Sequence, residues 1–209
     1  VVYTDPGRYG VLDGYEARDG DVVLVTHDHH YDPDGIDRVA GADATVVVFE
    51  AVDADRIDRP VRPVDELDHD VRRVAVGDSM TLLEGQVSID VTPAQNHLED
   101  GRDSTSVSHP PGFGCGYRFT IAETHVFWPG DTDLMETFAD LDVDLLLANI
   151  GGSVVMDRHD AVILAEWLDP GLVVPIHYDT IEMLEADARS FAADVAERSI
   201  PVALDEGDH

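Results

Sequence analysis

Hydrophobic and polar positions fall in short blocks along this chain, and most blocks have the length and alternation of strands separated by polar turns. Val1-Val2-Tyr3-Thr4 running into Asp5-Pro6-Gly7 predicts a strand and a turn. The sequence thus opens inside an element, and a preceding segment is expected. Val22-Val23-Leu24-Val25 is an apolar run of strand length that stops at Thr26. Asp34 to Ala40 carries Ile36, Val39 and Ala40 at helical spacing, with Asp34 as the expected N-cap, and Thr45 to Phe49 is a second apolar strand. Strand, helix and strand in that order predict a parallel crossover.

Charged, proline-broken text from Asp53 to Arg73 reads as surface loop with a short helix. Val71 to Val76, Met80 to Leu83, and the alternation of Val87, Ile89 and Val91 read as an antiparallel meander turned at Gly77-Asp78. Asn96 to Gly116 has almost no periodicity, and so long a loop in a compact domain is usually functional or mobile. Tyr117 to Ile121 and Val126 to Trp128 predict a hairpin around Glu123-Thr124, followed by a short helix from Leu134 to Ala139. Val143 to Ile150 is a strongly apolar strand. Asp157 caps a helix from Arg158 to Leu168 whose inner face is Ala161, Leu164, Ala165 and Leu168. Leu172 to Ile176 is the last buried strand, Asp179 or Thr180 opens a helix reaching Glu197, and Ile200 to Leu204 reads as a closing edge strand. No linker or low-complexity tract interrupts the text, which reads as a single domain over residues 1–209.

Three of these strands end in residues that bind metals. Directly behind Val25 stand Thr26-His27-Asp28-His29-His30-Tyr31-Asp32, Asp131 follows the Val126 strand, and His177 follows Ile176. The long loop adds His109. His27 and His29 are two apart, so a tight turn brings both imidazoles to one point, and imidazole with carboxylate suits Zn²⁺ or a harder divalent ion. The plain alternative is an acid-rich polar loop. A buried sheet presenting His, His, Asp and His at the same kind of strand end speaks against it, because that rim is where α/β folds collect ligands.

The same segments resemble the metallo-β-lactamase superfamily, whose members carry a Thr-His-x-His-x-Asp-His turn, a later His, a Gly-Asp-Thr/Ser motif and a final His after a strand. The likeness is nearest to the L-ascorbate-6-phosphate lactonase-like branch of metal-dependent hydrolases. It rests on His109-Pro110-Pro111-Gly112-Phe113-Gly114-Cys115-Gly116-Tyr117, Gly130-Asp131-Thr132-Asp133, Gly151-Gly152-Ser153-Val154-Val155-Met156-Asp157 and Pro175-Ile176-His177-Tyr178. The resemblance implies an αββα four-layer sandwich. In it His27, His29 and His109 hold a first metal, Asp131 bridges, and His177 holds a second; Zn²⁺ is the expected ion, one or two per chain, with Mn²⁺ or another divalent ion as the alternative.

The turn departs from the family pattern, which continues Asp-His where this chain has His30-Tyr31-Asp32. Tyr31 stands in place of the family Asp and Asp32 in place of its last His. Asp32 is taken as the second-site ligand through oxygen, with a one-residue slip that would make His30 the ligand instead as the alternative. A metal with an open position lowers the pKa of bound water from about 15.7 towards 7, and Asp28 or Asp32 are the nearest candidates for taking its proton. The resemblance thus implies hydrolysis of a small ester, lactone or phosphoester. The rival readings are a phosphodiesterase or nuclease of the same superfamily, a metal-binding protein that has lost catalysis, and an acidic interaction module.

Composition changes that picture in one respect. There are 44 acidic residues against 13 basic, a net charge of −31, and every basic residue is arginine, while 44% apolar content is ordinary for a globular chain. Such charge opposes compaction in dilute buffer, but the Debye length is only about 3 Å at molar salt. The expectation is a halophilic protein. No basic stripe exists to meet phosphates, which disfavours nucleic acid as partner. A single cysteine, Cys115, excludes an internal disulfide and a thiolate cluster, and no span or signal peptide is visible. These point to a cytoplasmic protein; oligomeric state is not legible in the sequence, and only the family resemblance suggests a homo-oligomer. The remaining conspicuous residues read plainly: His97 as loop, His125 as strand surface, His159 as solvated or an outer partner of the site, His69 and His209 as exposed, Cys115 as a buried filler, Trp128 and Trp167 as core aromatics.

Overall fold

The computed structural model describes residues 1–97 and 107–204. Its first sheet is built from β1 (Val2–Thr4), β2 (Gly20–Val25), β3 (Ala40–Phe49) and β4 (Asp70–Val74), all parallel and in that order. The helix α1 (Pro33–Val39) makes the crossover from β2 to β3, as the strand-helix-strand order predicts. The second sheet has six strands in the order β10-β9-β8-β7-β6-β5: β5 (Ser79–Leu82), β6 (Val87–Ala94), β7 (Gly114–Ile121), β8 (Thr124–Trp128), β9 (Leu145–Asn149) and β10 (Leu172–Ile176). Its β5–β8 part is antiparallel, whereas β8, β9 and β10 run parallel.

Two apolar layers follow from this arrangement. Val22 to Val25, Val46 to Phe49, Ile89, Val91, Tyr117 and Phe119 form one continuous buried cluster drawn from both sheets, which Ile36 and Val39 of α1 join. The second cluster joins Leu146, Ala148 and Val173 to Ala161, Leu164 and Leu168 of α2 (Arg158–Leu168) and to Phe191 and Val195 of α3 (Ala188–Ala196). Full burial of a Val or Leu contributes roughly 1.5–3 kcal/mol, so the uninterrupted runs of β2 and β3 anchor the first sheet. The architecture is the mixed α/β sandwich of two sheets that the family resemblance implies. Among the described residues no helix is long and apolar enough to cross a membrane.

Several local expectations need correction. The Val71 strand is not part of the meander: β4 pairs parallel with β3, and the chain changes sheets at Gly77-Asp78. The hairpin turns at Ala122 and Glu123, both at positive φ, and Thr124 already belongs to β8. A single 3-10 turn at Glu136–Phe138 replaces the helix expected from Leu134. The last helix begins not near Asp179 but behind Asp187, whose carboxylate accepts from Ser190 N. The expected strand at Ile200 to Leu204 is reduced to a bridge between Val202 and Val173. Asp32, not Asp34, stands at the N-cap of α1, and its carboxylate is engaged elsewhere. Asp157 caps α2 as expected, accepting from His159 N and Asp160 N.

Candidate metal centre

Four polar segments meet at one rim of the two sheets. After β2 the chain enters a 3-10 turn at Asp28–His30, which places His27, His29 and His30 on the same side. The segment leading into β7 brings His109, the turn after β8 brings Asp131, and His177 follows β10. The Asp131 turn demands a glycine before it: Gly130 has φ +69°, and a Cβ there would lie 2.2 Å from the Cys115 carbonyl oxygen. Asn149, at the end of β9, donates to the Gly130 carbonyl at 2.6 Å and so ties this turn to the neighbouring strand.

Asp131 is the centre of the cluster. Its Oδ2 lies 3.6 Å from His27 Nε2, 3.3 Å from His109 Nε2 and 3.7 Å from His30 Nε2, and its Oδ1 lies 3.3 Å from His177 Nε2. His29 Nδ1 stands 3.2 Å from His109 Nε2, and His30 Nε2 stands 3.1 Å from His177 Nε2. Ligands of one tetrahedral ion at bond lengths of about 2.0–2.1 Å are separated by about 3.3 Å, which matches these spacings. His27 Nε2 and Asp131 Oδ1 are buried without a hydrogen-bond partner in the protein. Buried polar atoms left bare in this way are what a cation satisfies. Donor set and spacing therefore fit divalent metal.

The outer contacts determine which nitrogen each ring offers. The Thr26 hydroxyl donates to Asp5 at 2.8 Å, so its remaining lone pair, 2.9 Å from His27 Nδ1, accepts from that nitrogen. His109 Nδ1 lies 3.1 Å from both Asn96 Oδ1 and the Val154 carbonyl, which are acceptors. Both rings thus carry the proton on Nδ1 and turn a bare Nε2 towards Asp131, the outer-shell arrangement of metal-binding histidines. His30 is backed differently. Its Nδ1 faces the Asp5 carboxylate at 3.1 Å, and Asp5 also accepts from Thr26 N and from the Trp128 indole.

Electrostatics divide the rings in the same way. Burial, reinforced by the other rings, pushes His27 far below the ordinary imidazole range, and burial pushes His109 down to about 4. Burial also lowers His29 and His177. Burial opposes charge on His30 too, but Asp131 and Asp5 outweigh it and raise its pKa to about 9. Burial would raise Asp5, and the neighbouring His30 and Thr26 reverse this to a lowered value.

The cluster opens into a cavity of about 270 Å³ lined by Arg8, His29, His109, Asp131, His177 and Met183 among others. A more apolar cavity of about 340 Å³, bordered by Tyr3, Val11, Leu12, Trp128 and Ile176, meets it at His30 and His177. A wider hollow of about 570 Å³ around Asp53, Arg56 and Arg73 contains none of the histidines.

Of the residues singled out from sequence, His27, His29, His109, Asp131 and His177 come together, whereas Asp32 and Asp28 do not join them. The Asp32 carboxylate accepts from Arg8 N at 2.6 Å and faces Arg59 at 3.9 Å. Asp28 accepts from Asp53 N at 2.8 Å and pairs with Arg56 at 3.0 Å, pinning the turn from behind. Tyr31 is fully buried and donates to the Arg62 carbonyl. The slipped alternative is the geometry observed: His30 occupies the cluster. Asp5 escaped sequence reading altogether, since a carboxylate at a strand end before Pro-Gly looks like ordinary turn chemistry. Trp128 is a core aromatic, as expected, but its indole also supports Asp5. Trp167, on the outer face of α2, is 38% exposed and not core. His125 pairs with Asp142, His97 lies against the Leu134 carbonyl, His159 is exposed, and Cys115 is buried. His69 is not exposed; its side chain is largely covered beside Asp37. His209 lies outside the described residues.

Comparison with known proteins bears on the family and the fold. The family model described as a beta-lactamase superfamily domain matches residues 1–177. A UPF0173 metal-dependent hydrolase of Pyrococcus horikoshii is 30% identical over 201 residues, covering 92% of this chain and 82% of the relative. Among solved structures, a candidate metal-dependent hydrolase of Parabacteroides distasonis superposes with a TM-score of 0.73 at 23% identity, over 98% of this chain and 84% of that one. A metallo hydrolase of Ignicoccus hospitalis gives 0.64 at 22% identity, over 90% and 76%. At these identities the two structures speak for the fold alone.

Proposed function

We propose that this chain, which belongs to the metallo-β-lactamase superfamily and within it to the UPF0173 metal-dependent hydrolases, cleaves a small ester, lactone or phosphoester with one or two divalent ions, Zn²⁺ foremost. The observation that carries the reading is a single buried carboxylate, Asp131, shared between two groups of imidazoles at ligand spacing. His27, His29 and His109 are the proposed ligands on one side, and His30 and His177 on the other. An ion held there supplies a water activated near neutral pH, because coordination lowers its pKa towards about 7. The chain's own part is to keep His27 and His109 neutral, to direct their Nε2 atoms inward, and to admit substrate through the cavity beside His29.

The lactonase-like branch remains the favoured kind of hydrolase, supported by the Gly130-Asp131-Thr132-Asp133, Gly151 to Asp157 and Pro175-Ile176-His177-Tyr178 segments. The whole chain acts as one domain, in the cytoplasm, on small molecules and without nucleic acid. Its net charge of −31 with no lysine supports adaptation to high salt. Full stability in dilute buffer, measured by thermal unfolding across salt concentrations, would remove that part of the proposal.

The central test measures metal per chain, then turnover of chromogenic esters, lactones and phosphodiesters in molar salt. Bound metal, with turnover lost in His27→Ala and His29→Ala, is the expected result. Tightly bound metal with no turnover across the panel would instead favour a metal-binding protein without catalysis.

A further inference from the structure

Arginine in this protein is nearly always matched to acid. Among the described residues ten arginines meet an Asp or Glu carboxylate, Arg56 with Asp28 and Arg59 with Asp32 among them. Arg8 is different. Among the described residues its guanidinium is paired with no carboxylate; its Nη1 donates to the His29 carbonyl, and the group lies 4.6 Å over the Tyr9 ring. It lines the same cavity as His29, His109, Asp131 and His177. In a chain with 44 acids, a guanidinium left without a carboxylate at this one cavity needs an explanation.

The loop that carries it is held in an unfavourable backbone conformation. Asp5, Gly7, Arg8, Tyr9 and Gly10 all have positive φ. Only glycine fits at position 7, where φ is +109° and a Cβ would stand 2.7 Å from Asp32 Oδ2. Asp32 grips the loop by accepting from Arg8 N at 2.6 Å. Strain of this kind persists where surrounding contacts over-determine it, and it gathers at ligand-binding sites. Here the contacts are those that set Arg8 at the cavity.

We propose that Arg8 is the anion anchor of this site, and that the substrate carries a carboxylate or phosphate group at or beside the bond that is cut. The proposal rests on the hydrolase reading of the same cavity and narrows its substrate class. A guanidinium has five donors in a planar fork, of which the His29 carbonyl uses part, and the remainder suits a carboxylate or phosphate edge. A cation at the cavity also offsets, locally, the field of an acidic protein that would otherwise repel such a substrate.

The test compares 4-nitrophenyl butyrate, mono-4-nitrophenyl succinate and bis(4-nitrophenyl) phosphate as substrates of the metal-loaded protein at one fixed high salt. In Arg8→Gln, kcat/KM for an anionic substrate should fall at least about tenfold further than for the neutral ester, as expected for loss of a charge-assisted contact. Arg8→Lys, which keeps the charge without the fork, should fall between, with metal per chain unchanged in both variants. Whichever anionic substrate shows the larger loss tells carboxylate from phosphate. Equal losses on neutral and anionic substrates, or none, would overturn the proposal. Should no substrate turn over, the hydrolase reading fails, and calorimetric titration with succinate and with inorganic phosphate decides for Arg8. Weaker binding by Arg8→Gln then supports the anchor, and identical binding ends it.

Discussion

The two halves of the histidine cluster share Asp131 and differ in what stands behind their rings. His27 and His109 are backed by neutral acceptors, the Thr26 hydroxyl and the Asn96 amide with the Val154 carbonyl. Their side chains are 1% and 2% exposed. His30 is backed by the carboxylate of Asp5, and both His30 and His177 are 15% exposed beside the two cavities. A neutral acceptor fixes a tautomer without adding charge, whereas a carboxylate also makes the ring more basic and a stronger donor. One half therefore joins two enclosed, neutral rings, His27 and His109, to His29, which is exposed at the cavity. The other is a polarised edge, partly exposed beside both cavities.

The sharpest break in this comparison is at the atom the halves share. Asp131→Ala should strip metal from both sides and take metal per chain to near zero by plasma emission, a larger loss than the roughly 10–100-fold of an outer-shell change. Full metal content in that variant would mean that the two halves do not depend on Asp131. Next, His109→Ala and His177→Ala should each weaken a different binding step in a metal titration, and the double variant both. Identical titrations for the two single variants would show that the halves are not separate sites.

Smaller effects sharpen the contrast. Asp5→Asn should lower affinity by roughly 10–100-fold at the His30 side, whose ring Asp5 faces directly, and by less at the His27 side, which Asp5 reaches only through the Thr26 hydroxyl. Cobalt substitution followed by visible absorption would resolve the two sides. Asp32→Asn should leave metal content intact and cost about 1 kcal/mol in denaturant unfolding, because it weakens the hydrogen bond to Arg8 N. Loss of one metal in that variant would return Asp32 to the ligand set.

These contrasts also mark what could be read from the chain. The apolar runs of β2, β9 and β10 are legible because each is unbroken over four or five residues, and the ligand-type residues behind β2 and β10 follow from where those runs stop. β4 was misread because Val71 to Val76 alternates as an antiparallel strand would, while its parallel partner β3 lies far back in sequence. The start of α3 was misread because Asp179, Thr180 and Asp187 are all acceptable caps, and only packing of Phe191 and Val195 chooses among them.

The sequence by itself determined that this protein carries a histidine turn behind a buried strand, with His109, Asp131 and His177 as partners, in a metallo-β-lactamase sandwich. Only the tertiary structure decided that His30 joins them and Asp32 does not. Within three consecutive residues, direction depends on the turn that carries them, and contacts far along the chain hold that turn. Asp53 N and Arg56 take Asp28, the Arg62 carbonyl takes Tyr31, Arg8 N takes Asp32, and Asp5 receives His30. Without these contacts Asp28 and Tyr31 would be buried without a partner, at a cost of about 1–3 kcal/mol each. Together the contacts turn His30 towards Asp131.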